Sequence, residues 1–127
     1  MAGELTASVE GLLDALDKGD ADAAVAMISP DAQGIDEVSR KWMRGSGELI
    51  TYARQLTEMA QDVRSEIHDV HEVQWGDTGI VTFWLEQDYT VEGRREHASA
   101  PTSYVLRRED GAWKLVLGHS IPLPPSV

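Results

Sequence analysis

Apolar residues recur at helical spacing through the first half of the chain and at strand spacing after it. Leu5, Val9, Leu12, Leu13 and Leu16 fall at i, i+4, i+7, i+8 and i+11, one stripe of a helix over Glu4–Asp17. Lys18-Gly19 ends it, because glycine takes the left-handed conformation that closes a helix. Asp20 suits the N-cap of a second helix with Ala24, Val25, Met27 and Ile28 as its buried face, and Pro30 stops that helix. Gln33–Val38 and Arg40–Arg44 read as short extended pieces. Gly45-Ser46-Gly47 then punctuates the chain, and Ser46 can cap a third helix running to about Gln61. Leu49, Ala53, Leu56 and Ala60 repeat along that helix, with Tyr52 and Met59 on an adjoining line.

From Val63 the period becomes two. Val63–Trp75 is expected as a strand, Gly76-Asp77-Thr78-Gly79 as a turn, and Ile80–Val91 as the strongest strand. Val81, Phe83, Leu85, Gln87, Tyr89 and Val91 share one face of it, and Thr82, Trp84, Glu86, Asp88 and Thr90 the other. After a turn at Glu92–Arg95, Ser99–Arg108 forms the next strand, with Pro101 suiting a strand start or edge. Glu109-Asp110-Gly111 turns into a last strand that aligns Trp113, Leu115, Leu117 and His119. Pro122-Leu-Pro-Pro reads as an extended, packed tail rather than a peptide-domain ligand. Helices followed by about four antiparallel strands make an α+β domain, and 127 residues suit one domain over residues 1–127.

Composition narrows the function classes. A net charge of −11, from 22 acidic and 11 basic residues, repels phosphate backbones and anionic membranes. The basic clusters Arg40-Lys41 with Arg44, Arg94-Arg95 and Arg107-Arg108 are short and flanked by acids, so neither a nucleic-acid nor a membrane partner is expected. With no cysteine there is no disulfide, thiolate metal site or cysteine nucleophile. Met-Ala-Gly-Glu-Leu lacks the features of a signal peptide and no window is apolar enough for a membrane span, so a cytoplasmic location is the expectation.

The string Leu16-Asp-Lys-Gly-Asp20, Ile28-Ser-Pro-Asp31-Ala32, a third helix and a meander ending in Trp113-Lys-Leu and His119-Ser120 resembles the nuclear transport factor 2-like superfamily, and within it the SnoaL-like domains. The resemblance covers nearly the whole chain. It implies a cone, a curved antiparallel sheet wrapped on three N-terminal helices (the cystatin-like α+β roll), enclosing one deep hydrophobic pocket. That superfamily holds ketosteroid isomerases, polyketide cyclases, dehydratases, epoxide hydrolases and non-catalytic association modules, so it fixes fold more firmly than activity. Matching Asp31-Ala-Gln-Gly-Ile-Asp36 to the ketosteroid isomerase pattern puts Asp36 where those enzymes keep a general base. The same match puts Leu12 where they keep a catalytic tyrosine, and Glu37 where their motif has proline.

Asp36 therefore has two readings, a base in a desolvating pocket or a loop aspartate capping a turn. His119, on the Trp113–Leu117 face, either relays a proton or is a satisfied rim histidine. Gln87 and Tyr89, polar on an apolar wall, could orient a small ligand, and Trp42, Tyr52, Met59, Phe83 and Tyr104 are candidate lining. His68 and His71 differ by an odd number on a strand, so they should face opposite sides unless a bulge intervenes, and neither a metal nor another cofactor is expected. An Asp36, Arg64, Asp88 water-holding set fails because Asp88 lies on the other strand face. Trp84 on that outer face suggests burial against a second copy, and the superfamily resemblance implies a homodimer through it. The expected function is proton transfer on a hydrophobic carbonyl compound by Asp36 with His119 or Tyr89 as partner, or a non-catalytic homodimeric ligand-binding module. No second acid or phenol facing Asp36 is secure from sequence.

Overall fold

The computed structural model describes residues 3–36 and 39–121. Glu37 and Val38, the end of the expected extended piece Gln33–Val38, and the Pro122–Val127 tail expected to pack lie outside the described residues. Helix α1 spans Glu4–Asp17, as its stripe predicts, and buries Leu5, Val9, Leu12 and Leu13. Asp20 caps α2 (Ala21–Ala26), its carboxylate accepting from the Ala23 amide at 3.1 Å.

That second helix is shorter than predicted. Val25 is exposed, and Ile28 opens a strand, β1 (Ile28–Asp36), with Pro30 inside it. Strand β2 is only Met43–Arg44, and α3 runs Ser46–Met59. The N-cap of α3 is Gly45 at φ 91° rather than Ser46, a left-handed conformation that glycine takes without steric cost. Of the expected inner line of α3, Leu49, Ala53 and Leu56 are half-buried, and Ile50 is its buried residue.

Four long strands follow: β3 Gln61–Trp75, β4 Thr78–Val91, β5 Arg94–Glu109 and β6 Ala112–Ser120. Asp110-Gly111 and Glu92-Gly93 form two-residue hairpin turns, all four residues at positive φ, which matches the twist of the flanking strands. The sheet has six strands in the order β2-β1-β6-β5-β4-β3. It is mixed rather than wholly antiparallel, because β1 lies parallel to β6. Helices and sheet make the curled α+β cone that the pattern and the resemblance lead one to expect. Of the helices, α1 packs on β3, β4 and β6, and α3 on β1 and β2.

Both ends of α1 are tied to the edge strand β3. Glu72 accepts from the Thr6 amide and hydroxyl, and Asp17 accepts from the Ser65 amide and hydroxyl at 2.7 and 2.8 Å. Burial raises the Asp17 pKa, while the Ser65 hydrogen bonds oppose that rise. Between these ties Leu5, Val9 and Leu13 meet Val81, Phe83, Leu85, Leu106 and Trp113 in one apolar cluster. The approach needs Gly79, since a Cβ there would stand 2.6 Å from the Leu5 methyls.

Two bulges change which residues share a face. Asp69, at φ 51°, interrupts the β3–β4 ladder between His68 and His71, so both histidines point to the outer face. The expected opposition of the pair is thereby overturned. On β6 the ladder to β5 slips between Leu115 and Leu117, reversing the alternation beyond Val116.

Candidate functional site

On the concave face, Asp36, Ser120, Thr102 and Phe83 lie in register across β1, β6, β5 and β4. The next row holds Gly34, Gly118, Tyr104 and Val81. Facing the first row from α3 is Tyr52, whose hydroxyl lies 2.7 Å from both carboxylate oxygens of Asp36. The contact follows from two periodicities. Gly34 and Asp36 are two apart on one strand face, and Leu49 and Tyr52 three apart on one helix face. Leu49 packs on Gly34, where a Cβ would come within 2.9 Å of its methyl, and the next rung is Tyr52 on Asp36.

Asp36 also organises the chain after it. Its Oδ1 accepts from the Ser39 amide at 2.8 Å, its own amide donates to the Ser39 hydroxyl at 3.1 Å, and its carbonyl accepts from the Arg40 amide. The turn-capping reading of Asp36 is thus realised, and a phenol faces the same carboxylate. The sequence spacing did not reveal that phenol, because Tyr52 lies 16 positions on, past β2 and into α3.

Tyr104 lies edge-on to Phe83, ring centres 5.3 Å apart, with its ring over Gly118. Burial first, and then the negative charge of Asp36, push the Tyr104 phenol up to about 12, so it stays protonated and is a donor throughout the physiological range. Thr102 and Ser120 share a hydroxyl hydrogen bond of 2.9 Å in the Asp36 row. They were missed as site residues because only the parallel β1–β6 register brings Ser120 beside Asp36. Asp36, Tyr52, Tyr104 and Ser120 all keep some exposure despite lying on the concave face. Leu12 is buried among Ala15, Ala24, Ile28 and Ile50, so no polar group of α1 stands at that position.

The remaining candidates are dispersed. His119 does not share a face with Trp113 and Leu115: the slip at Val116 pairs it with Ser103 on the outer face, where it is exposed. Gln87 stays on the concave face and donates to the Ser65 hydroxyl at 3.1 Å, joining the α1–β3 tie. Tyr89 is half-buried farther along the same strand. Trp42 is 44% exposed under the Arg44 guanidinium, 6.0 Å from its ring centre, and Met59 is 61% exposed at the end of α3. Arg64 and Asp88 pair in register on the outer face, away from Asp36. Among the described residues no group of histidines and carboxylates has the arrangement of a metal site, and no helix is long and apolar enough to cross a membrane.

This arrangement of helices, mixed sheet and concave polar row defines a SnoaL-like domain. The model of the SnoaL-like domain family matches residues 5–124, and the chain belongs to that family. Its fold is that of the wider NTF2-like group of solved structures. A ketosteroid isomerase-like protein from Erwinia carotovora atroseptica is 22% identical, with 94% of this chain and 93% of that chain covered and a TM-score of 0.80. An NTF2-like family protein from Streptomyces avermitilis, described as a candidate dehydratase, is 17% identical over 96% of each chain, with a TM-score of 0.87. The CaMKII hub of S. rosetta is 21% identical, with 97% of this chain and 99% of that chain covered and a TM-score of 0.84. At these identities the likeness is one of fold. No functionally curated protein matches the chain.

Proposed function

We propose that this chain is a small-molecule enzyme that moves a proton on a hydrophobic carbonyl compound, with Asp36 as base and Tyr104 as donor to the carbonyl oxygen. The observation that carries this reading is the Tyr52 hydroxyl held 2.7 Å from both oxygens of Asp36, beside a Tyr104 phenol that feels the Asp36 charge. In the proposed step the Asp36 carboxylate takes a proton from the carbon next to the carbonyl. The C–H electron pair moves into a carbon–carbon double bond, and the carbonyl π pair moves onto oxygen. That oxygen is stabilised by the Tyr104 O–H, which remains protonated. In a substrate with a double bond β,γ to the carbonyl, the enolate is a dienolate, and return of the proton from Asp36 to its γ carbon completes an isomerisation to the conjugated compound. Tyr52 keeps the carboxylate in one orientation. The role that the sequence suggested for His119 falls to Tyr104.

The experiment uses a panel of hydrophobic cyclic ketones in D2O, scored for binding and for deuterium uptake next to the carbonyl. Asp36→Asn should bind the active probe within about threefold of wild type and lower exchange by ~10² to 10⁴-fold. Equal exchange by the two proteins would contradict the assignment.

A second reading, a homodimeric accessory module, is supported by the outer sheet face. There Val73 and Trp75 are 48% and 59% exposed, and Trp84 is half-buried against His68 with ring centres 6.4 Å apart. The two readings are compatible, because the pairing face and the Asp36 row lie on opposite sides of the sheet.

A further inference from the structure

All four histidines of the chain, His68, His71, His97 and His119, lie on the outer face of the sheet. Two of them are there only because of the bulges at Asp69 and Val116, and the concave site holds none. The same face carries the carboxylates Glu66, Asp69, Glu86 and Asp88. At its centre Glu86 meets His68 Nε2 at 3.0 Å and His97 Nε2 at 2.9 Å, and accepts from the Ser99 hydroxyl at 2.6 Å. His97 Nδ1 lies 2.8 Å from Asp88. With both of its ring nitrogens against carboxylates, His97 makes both contacts as hydrogen bonds only as the imidazolium. His71 meets Asp69 at 3.2 Å, and with His119, Trp84 and Ile121 it lines a groove of about 500 Å³ on this face.

We infer that this face pairs with a second copy of the chain under proton control, the histidine–carboxylate cluster permitting association when it is protonated and opposing it when it is not. The inference rests on the pairing through the outer face stated above. A second copy is the occupant because the face carries both signs: four imidazoles and four carboxylates present, after a two-fold rotation, a surface able to complement itself. When His68 and His97 are charged, the core made by them with Glu86 and Asp88 is neutral. When they are not, it carries two negative charges, and two facing copies bring four together in a chain already at −11.

The other charged groups facing the cluster are Arg64 and Glu66 on β3 and Arg95 on β5; Arg95 donates to the Thr90 hydroxyl and the Asp62 carbonyl. The helices lie on the opposite face of the sheet. Hydrogen bonds donated to Asp88 and then to Glu86 favour the imidazolium and raise the His97 pKa above its ordinary 6.5.

Sedimentation velocity at graded concentrations, from about pH 5.5 to about pH 8.5, tests this. For wild type the dimer dissociation constant should rise about tenfold or more across that range. The doubly substituted His68→Gln/His97→Gln should stay within about threefold of the wild-type high-pH value throughout. Trp84→Glu, on the same face, should abolish pairing at every pH. A dimer of equal affinity at all pH values would overturn proton control while leaving the pairing face standing. A monomer at all pH values would overturn the pairing itself. Pairing that survives Trp84→Glu, in a variant with wild-type circular dichroism, would place the interface elsewhere and overturn the inference.

Discussion

Asp36 has two sets of contacts. It closes the turn to Ser39 and receives the Tyr52 hydroxyl from α3. The charge of the carboxylate has a measurable consequence at Tyr104, whose phenol is raised to about 12 by burial first and by Asp36 second. A negative neighbour disfavours the phenolate, so Asp36→Asn should lower the Tyr104 pKa, while burial keeps it above the ordinary 10.0. Tyrosine-specific carbon labelling and an alkaline titration by NMR would measure this. An unchanged Tyr104 pKa would mean that the two groups do not sense each other. Asp36 itself drew attention only through the resemblance, which matches Asp31–Asp36 to the ketosteroid isomerase pattern. Its contact with Tyr52 was not legible, because a strand-to-helix contact leaves no local spacing to read. His119 misled for a related reason. Strand alternation assigns faces only while the ladder is unbroken, and the slip at Val116 occurs in a run, Leu115-Val116-Leu117, whose hydrophobicity hides it.

At the scale of elements, α1 is the part that sequence and structure describe in the same way, because five leucines and valines at helical spacing allow no other burial. The end of α2 shows the limit of such reasoning. Ala24, Val25, Met27 and Ile28 continue a helical pattern, yet the Leu115 amide donates to the Met27 carbonyl, and Ile28 pairs with Leu115 as β1 begins. Sheet pairing overrides helix propensity there. The parallel β1–β6 contact was equally hidden, since nothing local marks a strand as the parallel neighbour of another far along the chain.

The seating of α1 on β4 depends on a missing side chain. Gly79→Ala would put a methyl 2.6 Å from the Leu5 methyls in a fully packed cluster, so a loss of about 1–3 kcal/mol is expected. Urea unfolding of the variant measures it, and a loss below about 0.5 kcal/mol would show that α1 shifts freely on the sheet.

Over the whole molecule, the two faces of the sheet divide the chemistry. The concave face holds Asp36, Tyr104 and the hydroxyls of Thr102 and Ser120, while the outer face holds every histidine. The outer cluster should also set the pH range of stability. Hydrogen bonds from Ser99, His68 and His97 hold Glu86 down at about 2, below its ordinary 4.5. A carboxyl with a lowered folded pKa contributes stability that is present above 4.5 and lost as pH falls towards 2. His97, raised above 6.5, contributes stability that is present below 6.5 and lost as pH rises through its folded value. The cluster therefore stabilises most between these limits. Urea midpoints should fall on both sides of that window for wild type, and Glu86→Gln should remove the acid limb belonging to this group. An acid limb unchanged in Glu86→Gln would assign the loss to other carboxylates.

The central claim is that the Asp36–Tyr52 contact beside Tyr104 is a proton-transfer site. Its most direct measurement is the rate at which wild type and Asp36→Asn exchange the proton next to the carbonyl of a bound cyclic ketone in D2O, both at saturating protein. Wild type should accelerate exchange over buffer, Asp36→Asn should fall to near the buffer rate while still binding the probe, and Tyr104→Phe should be intermediate. A wild-type rate no faster than buffer with the probe bound, or an Asp36→Asn protein as fast as wild type, would contradict the account.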